Sequence, residues 1–292
     1  MRTLDSTTSL RIAVQKSGRL TDKTIDLLKG IGLEFDDYKR SLVVKCRNFD
    51  VELLLIRDDD IPEYVEDGIC DIGFVGANTV AEDQVDVTIL RGLDYGVCRL
   101  SVAIPKDGDI KNIQDLDGKK VATSYPVLTK KYFESKNIDV NVITLSGSVE
   151  IAPRLEIADA ITDLVSTGGT LKANGLQEVE VIFESETQLV QTNKPLSEGK
   201  QKLIEKILQR IEGYKKAAES RYIMMNAPEK SVPEIKEIIP SLKSPTVMPL
   251  ADNGMVAIHT VVPITTFWDI MEQLKEAGAT GIVMLPIESM IV

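Results

Sequence analysis

The chain has 292 residues, 43% of them hydrophobic and 27% charged, which suits two or three ordinary globular domains and excludes a compositionally disordered protein. Its formal net charge is −11, whereas a surface that coats nucleic acid would be basic, so general nucleic-acid binding is set aside. An acidic chain that binds small anions must do so locally, with backbone N–H groups at helix starts and a few placed Arg and Lys residues.

Leu10 to Val14 reads as a first strand, Gln15 to Arg19 as a turn, and Thr21 to Leu28 as a helix with Ile25 and Leu28 at helical spacing. Val51 to Ile56 is a mostly apolar strand of the kind buried on both faces in parallel sheets. Asp58, Asp59 and Asp60, with Pro62 just after, open the next helix. Asp71 to Val75 is another buried strand, ending in Gly76-Ala-Asn78. Strands then fall at Leu100–Ile104, Lys119–Thr123, Val140–Leu145 and Ala160–Val165. Helices follow through Phe133, near Ala152–Ile157, and from Thr170 to Ala173, where Asn174-Gly175 can end the last. Val179–Phe183 and Gln188–Gln191 are further strands. This alternation predicts an α/β fold in which residues 100–185 form a second α/β lobe, joined to the first by two crossings.

Ser197 to Arg221 carries a helical stripe of Leu203, Ile204, Ile207, Leu208 and Ile211 and reads as a connecting helix. The last 70 or so residues then change rhythm. Tyr222–Met225, Thr246–Leu250, Met255–Val262 and Gly281–Leu285 are strands, Val232–Ile239 and Phe267–Ala277 helices, with Ser231 an N-cap candidate and Asp252-Asn-Gly254 a turn. The order β-α-β-β-α-β is a ferredoxin-like unit. The boundaries are therefore 1–97 for the first lobe, completed by about 186–220, then 98–185 for the second lobe and 221–292 for the ferredoxin-like domain.

The polar segment before Leu10 has no apolar run after it, so no secretory leader is expected, and no window reaches the 18 or so apolar residues of a membrane span. Cys46, Cys70 and Cys98 are isolated, which points to reduced, mostly buried thiols in a cytoplasmic chain. There is no Ser/His/Asp, Cys/His or metal-cluster signature, and the lone His259 lies in an apolar strand as a core or interface residue. Any metal is expected to be Mg²⁺ arriving with substrate phosphates.

The chemistry concentrates in Asp163-Leu-Val-Ser-Thr-Gly-Gly-Thr170, between a buried strand and a helix. Gly168 and Gly169 admit close backbone approach, Ser166, Thr167 and Thr170 supply hydroxyls, and the helix start supplies free N–H groups. This set fits a phosphate monoester, with the Asp163 carboxylate beside vicinal ribose hydroxyls. A plain strand-to-helix turn with hydroxyl caps is the competing account. Lys16 and Arg19, just before a helix, read either as exposed cations or as phosphate ligands facing that loop. Arg57 ends a buried strand at the carboxyl edge, where open α/β sheets bind ligands. Asp58 to Asp60 read as helix-start charges, and Glu150 as a first-turn glutamate or a donor contact.

Gln15-Lys-Ser-Gly-Arg-Leu20, Arg57-Asp-Asp-Asp-Ile-Pro62, Ala122-Thr-Ser-Tyr-Pro126, Gly147-Ser-Val-Glu-Ile-Ala-Pro153, the run Asp159 to Thr170 and Lys172-Ala-Asn-Gly-Leu176 together resemble the ATP phosphoribosyltransferases. Tyr222-Ile-Met-Met225, Ser244-Pro-Thr246 and Leu285-Pro-Ile-Glu288 look like the tail of the long form. The resemblance implies two lobes of the type II periplasmic-binding-protein kind with the active site between them, and an ACT-like regulatory tail. It implies that N1 of the ATP adenine attacks C1 of phosphoribosyl pyrophosphate, as the first step of histidine biosynthesis, with Mg²⁺ on the phosphates. Feedback inhibition by histidine and assembly as dimers and hexamers come with it. Position by position, Glu150, Asp163, Ser166, Thr167, Gly168, Gly169 and Thr170 match the donor site. Arg19 and Arg40 match arginines on the departing pyrophosphate, and Lys16, Arg19, Arg57 and Asp71 match positions near the nucleotide. Asn226, Leu242, Ser244, Thr246 and Gly281 match the region for inhibitory histidine. Two other readings stay open: a phosphoribosyltransferase for another base, and a non-catalytic two-lobed ligand-binding protein.

Overall fold

The computed structural model describes residues 9–36, 38–239 and 244–291. The chain opens with β1 (Leu10–Gln15), α1 (Thr21–Gly30), β2 (Val43–Lys45), β3 (Val51–Ile56), α2 (Ile61–Glu66), β4 (Ile72–Gly76), α3 (Ala77–Asp83) and β5 (Val87–Gly92). It continues with β6 (Cys98–Pro105), β7 (Lys120–Thr123), α4 (Pro126–Ser135), β8 (Asn141–Thr144), β9 (Ala160–Val165), α5 (Gly169–Ala173), β10 (Leu176–Ser185) and β11 (Thr187–Thr192). It closes with α6 (Glu198–Glu219), β12 (Ser220–Pro228), α7 (Val232–Ile238), β13 (Thr246–Pro249), β14 (Met255–Pro263), α8 (Ile264–Glu276) and β15 (Thr280–Pro286).

The first sheet runs β2-β3-β1-β4-β11-β5 and the second β10-β6-β9-β7-β8. The chain crosses between them twice, from β5 to β6 and back from β10 to β11, which is the two-lobed type II arrangement expected from the sequence. Apolar content sets strand position. All five residues of β4 are buried and it lies inside the sheet, while β3 alternates buried and half-buried residues. Gly73 on β4 is dictated by packing, because a Cβ there would come within 2.9 Å of the Ile61 and Val65 side chains of α2. The first lobe's core includes Ala13, Ile61, Val65 and Val75. The second lobe has two cores, one around Ile161, Val165 and Leu171, the other around Ile104, Leu116 and Phe133.

Contacts gather the chain into two compact units: one runs through Ile25 and takes in Glu34–Lys200, and the other joins Asp26–Leu33 to Gln201 and the residues after it. In the second unit β13-β14-β12-β15 form an antiparallel sheet in the β-α-β-β-α-β order, and α7 and α8 share a core with its inner face. His259 is not in that core. It is half-buried on the other face of β14, where Nδ1 lies 2.6 Å from the Tyr222 hydroxyl.

Three expectations change. Residues 152–156 form turns rather than a helix: Pro153 has no N–H to donate, and Glu156 turns left-handed (φ 57°). Residue 231 does precede α7, but it ends a 3-10 turn and its side chain makes no capping bond. The short elements β2, α3 and β5 are additions. Cys70 and Cys98 are buried and Cys46 half-buried, all unbridged. Among the described residues no helix is long and apolar enough to cross a membrane.

Gly213 in α6 faces a backbone wall, since a Cβ would lie 2.1 Å from the Met290 carbonyl oxygen. Gly213→Ala must push the Met290 segment away, and overpacking of this kind costs about 1–3 kcal/mol, readable as a lower urea midpoint at unchanged slope.

Candidate active site

In the first lobe β1, β3 and β4 are parallel, so their carboxyl ends share one sheet edge. That edge carries Lys16 and Arg19 after β1, Arg57 and Asp58 after β3, and Asn78 after β4. Arg40 joins it, because the Leu42 carbonyl accepts from the Leu55 N–H and so puts the start of β2 beside the end of β3. The turn after β1 folds tightly over its own glutamine. Gln15 Oε1 accepts from the Leu20 N–H at 3.1 Å, and a Cβ on Gly18 would sit 2.6 Å from Gln15 Nε2. Lys16 and Arg19 stay exposed on this turn.

In the second lobe β7, β8 and β9 are parallel, and their carboxyl ends carry Tyr125, Glu150 and the Ser166–Thr170 loop. Gly168 is the N-cap of α5 with φ 76°, a conformation that costs another residue about 1–2 kcal/mol. Space is not its reason, since a Cβ would meet only Val165 Cγ1 at 3.9 Å. Ser166, Thr167, Gly169 and Thr170 are exposed. Arg99 Nη1 donates to the Ser166 carbonyl at 3.3 Å and is gripped by Glu178, with Nε–Oε1 2.5 Å and Nη2–Oε2 2.6 Å. The Ser101 hydroxyl also donates to Glu178, so β6 and β10 together brace the loop.

The two edges face each other. Asn78 Nδ2 donates across to the Tyr125 hydroxyl at 3.3 Å, and Arg19, Asp58, Asn78 and Tyr125 line one cleft. Burial raises the Asp163 pKa, its bond from the Leu164 N–H (2.8 Å) lowers it, the Glu150 charge raises it and Arg19 lowers it. Burial pushes Asp58 up to about 6, helped by Asp59 and opposed by Arg19 and a Thr79 hydrogen bond. Asp58 Oδ1 is buried with no hydrogen-bond partner among the described residues. Tyr125 is raised mainly by burial and then by Asp163, Asp58 and Asp59.

The sequence-expected residues thus divide. Lys16, Arg19, Arg40 and Arg57 share the first edge, while Glu150, Asp163, Ser166, Thr167, Gly168, Gly169 and Thr170 share the second. Asp71 is a correction. It sits at the amino end of β4, opposite the cleft, at 3% exposure. Lys200 Nζ lies 3.0 and 2.9 Å from its two oxygens and the Arg11 N–H donates at 2.8 Å, so its capacity goes to joining β1, β4 and α6. Sequence reasoning passed over Asp58, Tyr125 and Asn78. Asp58 and Tyr125 lay within recognised motifs, Asp58 read as a helix-start charge, and Asn78 lay at a strand end, but only the fold brings them together.

In the tail, Asn226 and Gly281 adjoin where β12 meets β15, and a Cβ on Gly281 (φ 57°) would reach Asn226 Nδ2 at 3.8 Å. Ser244 and Thr246 are exposed at the start of β13, separated from β12 by β14. Leu242 lies outside the described residues. Among those described, no cluster of three or more His, Cys, Asp or Glu could hold a metal ion.

The core is thus a two-lobed α/β fold with cations on one sheet edge and a hydroxyl-glycine loop on the facing edge. Profiles described as "HisG: ATP phosphoribosyltransferase" and "HisG, C-terminal domain" match residues 57–213 and 217–289. An ATP phosphoribosyltransferase of Phocaeicola vulgatus is 46% identical over 282 residues, spanning 97% of this chain and 99% of that protein. A solved ATP phosphoribosyl transferase (HisG:HisZ) complex from Thermotoga maritima aligns with 31% identity and a TM-score of 0.60, over 70% of this chain and 98% of the other. The chain belongs to the ATP phosphoribosyltransferase family, in the long form that carries the C-terminal domain. It is a transferase of the first step of histidine biosynthesis.

The raised acid at Asp58 predicts a pH signature. Its folded value of about 6 exceeds the ordinary 3.8, so the folded state holds the extra proton between those values. The group's contribution to stability therefore falls as pH rises from about 4 to 6. Asp58→Asn should raise the melting temperature at pH 7.5 and leave it unchanged at pH 4.

Proposed function

We propose that the cleft transfers the phosphoribosyl group of phosphoribosyl pyrophosphate to N1 of ATP. The adenine N1 lone pair forms the bond to C1, the bond from C1 to the pyrophosphate oxygen breaks, and pyrophosphate leaves with that electron pair. The observation that carries this reading is Arg19 on one lobe set against Asp163 and Glu150 on the other, beside the exposed Ser166–Thr170 loop. The loop takes the 5-phosphate, and Asp163 and Glu150 take the ribose hydroxyls. Lys16, Arg19 and Arg57 hold the nucleotide, and Arg19 and Arg40 neutralise the departing pyrophosphate.

The adenine nitrogen is already a nucleophile, so no activated protein nucleophile is needed. Catalysis reduces to positioning and to charge stabilisation at the leaving group. Members of the family use Mg²⁺. A Mg²⁺ would be carried in by the substrate phosphates, which supply the oxygens that a hard cation prefers. When bound, it withdraws charge from the pyrophosphate.

Residues 1–97 with about 186–220, and 98–185, serve as the two substrate lobes, and 221–292 as the regulatory domain. Histidine inhibits by binding in that domain, at a site built from Asn226, Leu242, Ser244, Thr246 and Gly281. The protein works in the cytoplasm as a dimer or hexamer.

The test is pyrophosphate release from ATP, phosphoribosyl pyrophosphate and Mg²⁺, with and without histidine. Release that requires ATP, fails with free purines or orotate, and is suppressed by histidine supports the reading. Release with another base, or none at all, contradicts the reaction. A rate indifferent to histidine contradicts only the regulation. For the leaving-group role, Arg40→Ala should reduce kcat by about 100-fold while changing the KM for ATP less than threefold, and equal losses in both would count against it.

A further inference from the structure

Helix α4 starts on the second lobe without a cap of its own. Its N-cap is Tyr125, whose side chain makes no capping bond, and Pro126 at its first position has no N–H. The next two N–H groups, Val127 and Leu128, have no partner within the helix and would be left over at the mouth of the cleft. Both are taken from the other lobe. Glu82, near the end of α3, accepts from Val127 N at 2.7 Å with Oε1 and from Leu128 N at 3.0 Å with Oε2. The same helix supplies a second strut. Asn78 donates to the Tyr125 hydroxyl, and its amide is held in place by Ser185, which bonds both the Asn78 N–H (3.1 Å) and Oδ1 (2.7 Å). Ser185 is the last residue of β10, where the chain crosses between the lobes.

We propose that Glu82 is a positioning residue: it caps α4 from the opposite lobe and so fixes the spacing between the two halves of the cleft. One carboxylate filling two helical N–H groups is bidentate and directional, and the positive end of the 10-residue α4 favours its charge. Besides these polar contacts the chain itself joins the lobes only by two short crossings, and a hinge of that kind leaves their separation free to vary. The contact falls two and three residues beyond Tyr125 and so orders the Ser124-Tyr-Pro126 turn. Glu82 touches no reacting atom in this account. It acts by holding the donor-bearing lobe in register with the acceptor-bearing one, where small misplacements are costly.

This rests on the transfer reaction proposed above, but the contact can be read without it. Hydrogen exchange on the full-length protein, with no substrate present, reports the Val127 and Leu128 amides directly. In Glu82→Ala those amides should exchange at least tenfold faster while β7 and β9 keep their protection. Unchanged exchange at those amides overturns the cap. Kinetics then test its purpose. Glu82→Ala should lower kcat/KM for both substrates by about 10- to 100-fold at 25 °C, and Glu82→Gln, which keeps one acceptor oxygen, should recover part of that loss. A variant that melts earlier but keeps both kcat/KM values at 25 °C would make Glu82 merely structural and overturn the positioning role. If wild-type protein releases no pyrophosphate while the exchange result holds, the reaction assignment fails and the cap stands.

Discussion

Under the proposed reaction one electrostatic constraint governs the core: a chain with a net charge of −11 has to hold polyphosphate ligands. At ionic strength near that of cells, charges more than about 8–10 Å apart are largely screened, so the distant acidic surface matters little and the local set decides. Parallel strands solve the local problem by geometry. Their carboxyl ends lead into loops that share one edge, and such edges are where open α/β sheets bind ligands. The first lobe spends its edge on cations, Lys16, Arg19, Arg40 and Arg57. The second spends its edge on backbone and hydroxyls, in a loop braced by Arg99 and Glu178.

That division accounts for the buried acids. Asp163 and Asp58 sit in the cleft with desolvation as the largest influence on each, and Arg19 pulls both back toward the charged form. Burial raises the Asp163 pKa, and the Leu164 N–H and the Arg19 charge work against it, favouring the charged form that the proposed ribose contact calls for. Asp71 shows the contrary arrangement. There a carboxylate is saturated by Lys200 and the Arg11 N–H far from the cleft, and its role is to join elements.

The sequence made much of this legible, and its failures have physical causes. Apolar runs such as Val51–Ile56 and Asp71–Val75 were legible as strands, although only the second is buried throughout and Val51–Ile56 alternates buried with half-buried residues, and the order Asp-x-x-Ser-Thr-Gly-Gly-Thr carries its own local geometry. Short or edge elements were not legible. Val43–Lys45 and Val87–Gly92 lie at the two margins of the first sheet, where only one neighbour constrains them. Ala77–Asp83 begins directly after β4 with no loop to announce it. Pro153 and the left-handed Glu156 broke a helical pattern that apolar spacing alone favoured. At the site, residues that act through their own loop were readable. Asn78 and Tyr125 were not, because the bonds that Asn78 makes to Tyr125 and Ser185 span 47 and 107 residues of sequence, and Asp58 was masked by its reading as a helix-start charge. Asp71 was placed near the nucleotide by resemblance, which does not say which end of a strand faces a ligand; it stands at the amino end of β4.

The proposed reaction, whose nucleophile arrives ready-made, shifts the demand on the protein from chemistry to register. Proton-transfer enzymes can concentrate their advantage in one or two side chains, but a displacement at a cation-like carbon depends on holding two polyanions in line while charge moves to one of them. The scaffold's features serve that need. A glycine in the left-handed region shapes the Ser166–Thr170 loop, a second glycine lets the Lys16–Leu20 turn close over Gln15, and the capping contact at α4 is made between lobes rather than within one. Binding energy distributed this way is sensitive to geometry everywhere, so a signal that changed the separation of the two sheet edges would alter the rate without touching a reacting group.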